Sequence, residues 1–143
     1  ALHFGQARLS PATVAQRAGM AALDTPRAYF DEVLEEYQAR RDLLVEGLSS
    51  IGLHVPAPKG AFYIAVPLPV EDAEHFAQWL VRDFDLDGET VCMAPLGGFY
   101  STPGLGRNEV RLAYVLDRER LSRCVEIISA GLERYMVPEQ GPR

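Results

Sequence analysis

The stretch Asn108-Glu109-Val110-Arg111-Leu112-Ala113-Tyr114-Val115-Leu116 constrains this chain more than any other. Val110, Leu112, Tyr114 and Leu116 alternate with Arg111, Ala113 and Val115, which is the period of a strand. The alternation assigns Arg111 to a face whose other members are apolar, and no acid of the stretch is expected beside it there. A guanidinium withdrawn from water requires a partner, and its planar fork matches a carboxylate through two parallel hydrogen bonds. Two readings follow. Arg111 is either an arginine at a strand end that reaches solvent or a distant Glu, or a clamp for the carboxylate of a small ligand.

The remainder of the chain limits what surrounds that strand. Its 143 residues suffice for one domain with a proper core, and 48% hydrophobic against 24% charged residues is an ordinary globular balance. A net charge of −6, with no basic run or stripe, argues against nucleic acid or an anionic membrane as partner. The apolar runs are too short to span a bilayer. No signal peptide is evident, and Cys92 and Cys124 lack framework spacing, so they read as reduced core thiols of a cytoplasmic protein. The sequence opens on Ala1-Leu2-His3-Phe4 without an initiator Met, as if cut from a longer polypeptide.

Taken in order, Ser10-Pro11 is a helix start, with Ser as N-cap and Pro at the first helical position. Residues 13–23 follow as a helix with small residues on nearly every side, suited to close packing against neighbours. A long helix is expected over residues 26–51, with Phe30, Val33, Leu34, Tyr37, Leu44, Leu48 and Ile51 on one face and Gly52 at its C-terminal end. Leu53-His54-Val55 is a short strand candidate. Residues 61–66 form a second strand, closed by Pro67 and Pro69. Glu71-Asp72 opens a helix whose apolar stripe includes Ala73, Phe76, Ala77, Leu80, Val81 and Phe84. Residues 89–94 read as a third strand, followed by a loop over 95–106 rich in glycine and aromatic residues. The last helix starts at Asp117 and buries Leu121, Cys124, Val125, Ile128, Leu132 and Tyr135. The order describes an α+β unit: a small mixed sheet of about 3–4 strands covered by helices, with a long helix before it.

Several kinds of chemistry are disfavoured by the same residues. His3, His54 and His75 are scattered, and neither cysteine has a partner at metal spacing, so no metal site is expected. The glycines of residues 97–106 precede a strand and not a helix, so they do not form a phosphate-cradling loop. A lid whose Phe99 and Tyr100 exclude water fits them better. Of the 14 basic side chains 13 are Arg and one is Lys59. Lys59 lies in the turn Pro58-Lys59-Gly60, a position that normally faces solvent, without the burial or cationic neighbours that Schiff-base chemistry requires.

Four segments together resemble one family. Ser10-Pro11-Ala12-Thr13-Val14-Ala15-Gln16, Arg40-Arg41-Asp42-Leu43-Leu44, Pro58-Lys59-Gly60-Ala61-Phe62-Tyr63 and Val110-Arg111-Leu112-Ala113-Tyr114 look like the C-terminal third of class I, fold-type I, pyridoxal-phosphate-dependent aminotransferases of the aspartate aminotransferase group. The match runs from about residue 6 to residue 135. The resemblance implies that residues 1–29 end a large domain and interdomain segment, that 30–136 form the C-terminal small domain, and that 137–143 are a tail. It also implies that Arg111 binds the substrate α-carboxylate, that Gly60, Phe62 and Tyr63 line a closing cleft, and that residues 9–13 lie near a dimer interface. Pyridoxal 5'-phosphate would be held by a large domain of the same polypeptide, since the family's cofactor lysine is absent and Lys59 stands elsewhere. The parent would be a cytoplasmic homodimer moving an amino group between an amino acid and a 2-oxo acid, aspartate-type or broad. These residues alone would be inactive and would bind no cofactor covalently. Two alternatives share the fold: the ligand-sensing domain of a transcription regulator, marked by an upstream helix-turn-helix, and a pyridoxal-phosphate-dependent lyase.

Overall fold

The structure, a computed structural model, describes residues 11–137. Two compact units divide between Glu35 and Glu36. In the first, helix α1 (Thr13–Leu23) has Ala12 at its cap position, with no side-chain cap. It therefore begins two residues beyond Pro11, and the Ser10 cap expected from the sequence lies outside the described residues. The Gln16 side chain donates to the Pro11 carbonyl at 2.8 Å. No residue of α1 is buried.

The second unit holds the core. Helix α2 (Arg27–Ser50), within which the two units divide, buries Leu44 and Leu48. Gly52 adopts φ +86°, and the Leu53 N–H returns to the Leu48 carbonyl at 3.1 Å, which ends the helix in the left-handed manner expected. The strand expected at Leu53-His54-Val55 does not form. Leu53 is turned into the core by that cap, and Pro56 and Pro58 have no N–H to give a ladder.

The sheet has three strands, β1 (Tyr63–Pro67), β2 (Ala94–Pro95) and β3 (Glu109–Ala113), in the order β1-β3-β2. Both pairings are antiparallel, so the sheet is not mixed. The third strand expected over 89–94 shrinks to the two residues of β2. Its first member, Glu89, is engaged by a bridge to Leu86 across Asp87 (φ +57°) and Gly88 (φ +80°), the backbone of a tight Asp-Gly turn. Arg123 fastens that turn, bonding the Leu86 carbonyl and the carboxylates of Asp87, Glu89 and Glu126 at 2.8–3.0 Å.

Strand alternation sets the core. Ile64 and Val66 from β1 and Val110 and Leu112 from β3 point inward, joined by Tyr114 just beyond β3. Against them pack Leu44 and Leu48, Phe76 and Leu80 of helix α3 (Ala73–Arg82), and Leu121, Ile128 and Leu132 of helix α4 (Arg118–Met136). Asp72 caps α3, accepting from the N–H groups of Glu74 and His75 at 3.0 and 3.1 Å, and these bonds hold its carboxyl below the usual range. Asp117 caps α4 through the Arg120 N–H at 2.9 Å. Val81, expected inside, is exposed, whereas Ile127 and Gly131 are buried. The expected pair of core thiols is half right. Cys124 is partly buried, which raises its pKa, but Cys92 is exposed because its segment forms no regular strand.

Candidate functional site

On β3 the inner residues Val110 and Leu112 alternate with Glu109, Arg111 and Ala113 on the opposite, open face. Arg111 occupies the centre of that face, since β3 is the middle strand and Arg111 is paired with Ala65 of β1 and Ala94 of β2. Two alanines at the directly paired positions leave room beside the guanidinium for a diagonal neighbour. This placement corrects the expectation that Arg111 has no acid on its face. Glu109, two residues earlier, shares it, because the strand begins one residue before the alternation first reads clearly.

Glu109 nevertheless does not neutralise Arg111. Its carboxylate accepts the Tyr100 hydroxyl at 2.6 Å, and the bond raises the Tyr100 pKa. Among the described residues Arg111 forms no ion pair and no side-chain hydrogen bond. Rings hold it instead, with the guanidinium carbon 4.3 Å from the centroid of Tyr63 and 5.2 Å from that of Phe99. Among the described residues no buried side-chain nitrogen or oxygen lacks a partner, so the free N–H groups of Arg111 are open to solvent. A guanidinium touched through its π face keeps its in-plane donors, and those are the groups that bind a carboxylate. A guanidinium whose in-plane donors are unengaged among the described residues is able to take up an anion.

The loop over residues 95–108 delivers Phe99. Leu96 donates to the Glu109 carbonyl at 2.9 Å, and a single 3-10 turn (Gly97–Phe99) follows. The Tyr100 ring then lies against Gly106, whose φ of +71° and missing Cβ both permit the approach. An Ala at this position would put its Cβ inside the ring. The sequence marked Phe99 and Tyr100 as groups able to exclude water, but it could not assign them to Arg111 and Glu109. Tyr63 was legible as a cleft residue only through the family resemblance, because its contact depends on the β1–β3 register.

Other candidates stand apart. A cavity of about 470 Å³ is lined by Asp72, Pro95, Gly97, Leu105 and Arg107 among others, but not by Arg111. Lys59 is exposed in a bend before β1, and no second lysine exists in the sequence. Among the described residues no three His, Cys, Asp or Glu side chains are placed to hold a metal. A pyridoxal phosphate group requires a desolvated amine to carry it, and an exposed lysine in a turn does not meet that requirement, so the described residues do not fit the cofactor.

Comparison with known proteins gives concordant matches. The family model described as aminotransferase class I and II matches residues 3–128. An LL-diaminopimelate aminotransferase of Moorella thermoacetica is 32% identical over 111 residues, covering 78% of this chain and 27% of the relative. A probable aspartate/prephenate aminotransferase of Thermus aquaticus is 34% identical over 131 residues, covering 90% of this chain and 32% of the relative. Among solved structures, the aspartate aminotransferase of Thermus thermophilus with maleate superposes with a TM-score of 0.70 at 30% identity, over 89% of this chain and 32% of that one. The chain thus spans about a third or less of the length of these relatives.

Proposed function

This chain belongs to the aminotransferases of class I and II, and we propose that it is the carboxylate-binding C-terminal part of such an enzyme, with Arg111 as the residue that grips the substrate α-carboxylate. One observation carries the reading: a central, solvent-reachable guanidinium is held by two aromatic rings and left without an acid partner among the described residues. An arginine of merely structural use would have its donors engaged by carboxylates, as Arg123 has.

The parent enzyme would move an amino group between an amino acid and a 2-oxo acid, with aspartate-type or broader side-chain preference. Its cofactor site and catalytic lysine would lie in a large domain to which residues 1–29 belong, with 30–136 as the small domain. The parent would be a homodimer. Arg111 would fix the carboxylate, and through it the direction of the Cα–H bond, by two charge-assisted hydrogen bonds in one plane. Tyr63 and Phe99 would keep water from the back of the guanidinium.

Substituting Arg111→Lys in the parent tests this. Lysine keeps the charge but not the planar fork, so amino acid kcat/KM should fall at least about tenfold and up to about a thousandfold, the range for truncating a desolvated charged pair. The 2-oxo acid should suffer equally, and an amine lacking the carboxylate should not respond. Equal slowing of amines and amino acids, or unfolding large enough to explain the loss, would make Arg111 a structural residue.

A further inference from the structure

We propose that Phe99 and Tyr63 are positioning residues that hold the Arg111 guanidinium ready for its ligand, and that the hydrogen bond from Tyr100 to Glu109 is the bolt that keeps Phe99 in place. The proposal rests on the reading of Arg111 as the carboxylate-binding residue and concerns how that residue is held.

Three observations converge on it. First, the segment carrying Phe99 is tied at both ends to a single residue, Glu109. The Glu109 carbonyl accepts from Leu96 at 2.9 Å, and its carboxylate accepts from Tyr100 at 2.6 Å. Phe99 lies between these ties, and Glu109 lies two residues from Arg111 on the same strand face. The position of the ring over the guanidinium is therefore referenced to the strand that carries the guanidinium. Second, Gly106 is buried beneath the Tyr100 ring at φ +71°, a close approach that a side chain would prevent. The loop is shaped around Tyr100. Third, Phe99 is 65% exposed although it is a large apolar ring, so burial does not explain its place. Its contact with Arg111, together with the 4.3 Å contact of Tyr63, is what the position supplies.

The physical consequence is preorganisation. A free arginine side chain loses rotamer freedom when it grips a ligand, whereas one already held by rings has lost much of it beforehand. Holding by an acid would achieve the same order but would cancel the charge and occupy the donors. Rings do neither, because the cation–π contact uses the face of the guanidinium and leaves its edge free. Tyr100 serves the same purpose by engaging Glu109, the one acid on the open face of β3. With its hydroxyl removed, the Glu109 carboxylate would be released beside Arg111 as an internal competitor for the ligand.

The test measures the affinity of the full-length protein for 3-phenylpropionate, a carboxylate without an amino group, by calorimetry. The neutral amide 3-phenylpropionamide is the control. Phe99→Leu should weaken carboxylate binding about three- to tenfold, the cost of ordering one long side chain on binding, while Phe99→Tyr stays within about twofold of the parent. Tyr100→Phe should weaken it about threefold or more, and none of these changes should alter amide binding. Both positions are exposed, so melting temperatures should move little, and an unchanged melt separates positioning from folding. In an Arg111→Lys background the Phe99 and Tyr100 changes should have no further effect. If Arg111→Lys itself leaves carboxylate affinity unchanged, the reading of Arg111 fails. If Arg111→Lys weakens binding while Phe99→Leu and Tyr100→Phe stay within twofold, that reading stands and the positioning role is overturned. Full effects of the ring variants in the Arg111→Lys background would also overturn it, by showing that the rings touch the ligand directly.

Discussion

The two faces of the small sheet are made by the same strands and obey opposite rules. Ile64, Val66, Val110 and Leu112 on the inner face are at most 7% exposed and belong to one continuous apolar cluster. On the outer face of the same strands, Tyr63, Ala65 and Ala113 are exposed, and Arg111 and Glu109 are half-buried. The inner face is organised by volume, each side chain filling space left by helices α2, α3 and α4. Direction organises the outer one, through a ring over a cation, a hydroxyl to a carboxylate and a guanidinium edge left free. The buried core lies on one side of the strand and the face proposed to bind the carboxylate on the other, separated by one residue. Arg111 and Leu112 are neighbours in sequence yet serve different ends, because successive side chains of a strand point oppositely.

The largest expected effect comes from the inner face. Ile64→Ala deletes buried atoms from a side chain only 1% exposed and should cost about 2–5 kcal/mol of unfolding free energy, measured by urea denaturation. A loss under about 1 kcal/mol would mean that the core tolerates collapse there, and the contrast between the faces would weaken. Arg111→Lys on the other face should leave the denaturation midpoint nearly unchanged while abolishing carboxylate selectivity.

A middle case joins the two. Gly106→Ala places a methyl group where the Tyr100 ring lies and forces an L-residue to φ +71°. It should destabilise by about 1–3 kcal/mol through strain and displacement. Carboxylate affinity should fall with it, because the ring that engages Glu109 is pushed out. Loss of stability with affinity intact would show that the loop and the Arg111 site are independent.

The smallest effect is at the far end of β3. Arg40 and Arg118 both bond Glu36, at 2.7 and 2.8 Å, and hold its carboxyl below the usual range; Arg40 also donates to the Val115 carbonyl at 2.7 Å. For a carboxylate whose folded pKa is lowered, the stabilisation is present above the unfolded value of about 4.3 and is lost as pH falls through the folded pKa. Glu36→Gln should therefore melt slightly below the parent at neutral pH, and the gap should close as pH drops below about 4. A constant gap across that range would mean that packing, not charge, is what Glu36 supplies.

How much of this was legible follows from the range of the interactions. The helices could be read closely: residues 13–23 are helical, although the helix starts two residues beyond the expected Pro11, Asp117 caps the last helix, and Asp72 caps the one before β2. Caps and helical periodicity are local, set by residues within one or two turns. Strands were read less well. The run at 53–55 forms none and that at 89–94 keeps two residues, since a strand exists only where a distant partner supplies the ladder.

The sequence by itself determined that Arg111 lies on a strand, on the face opposite Val110 and Leu112, that the unit is α+β, and that its motifs are those of the aminotransferases. Only the tertiary structure decided which residues meet the guanidinium. Tyr63 reaches it across the β1–β3 register, Phe99 arrives on a loop folded over Gly106, and Tyr100 engages the one acid sharing the face. Alternation along a strand states which side a residue takes, but the occupants of that side come from other strands and loops. Their identity is fixed by register and chain reversal, which no local pattern encodes.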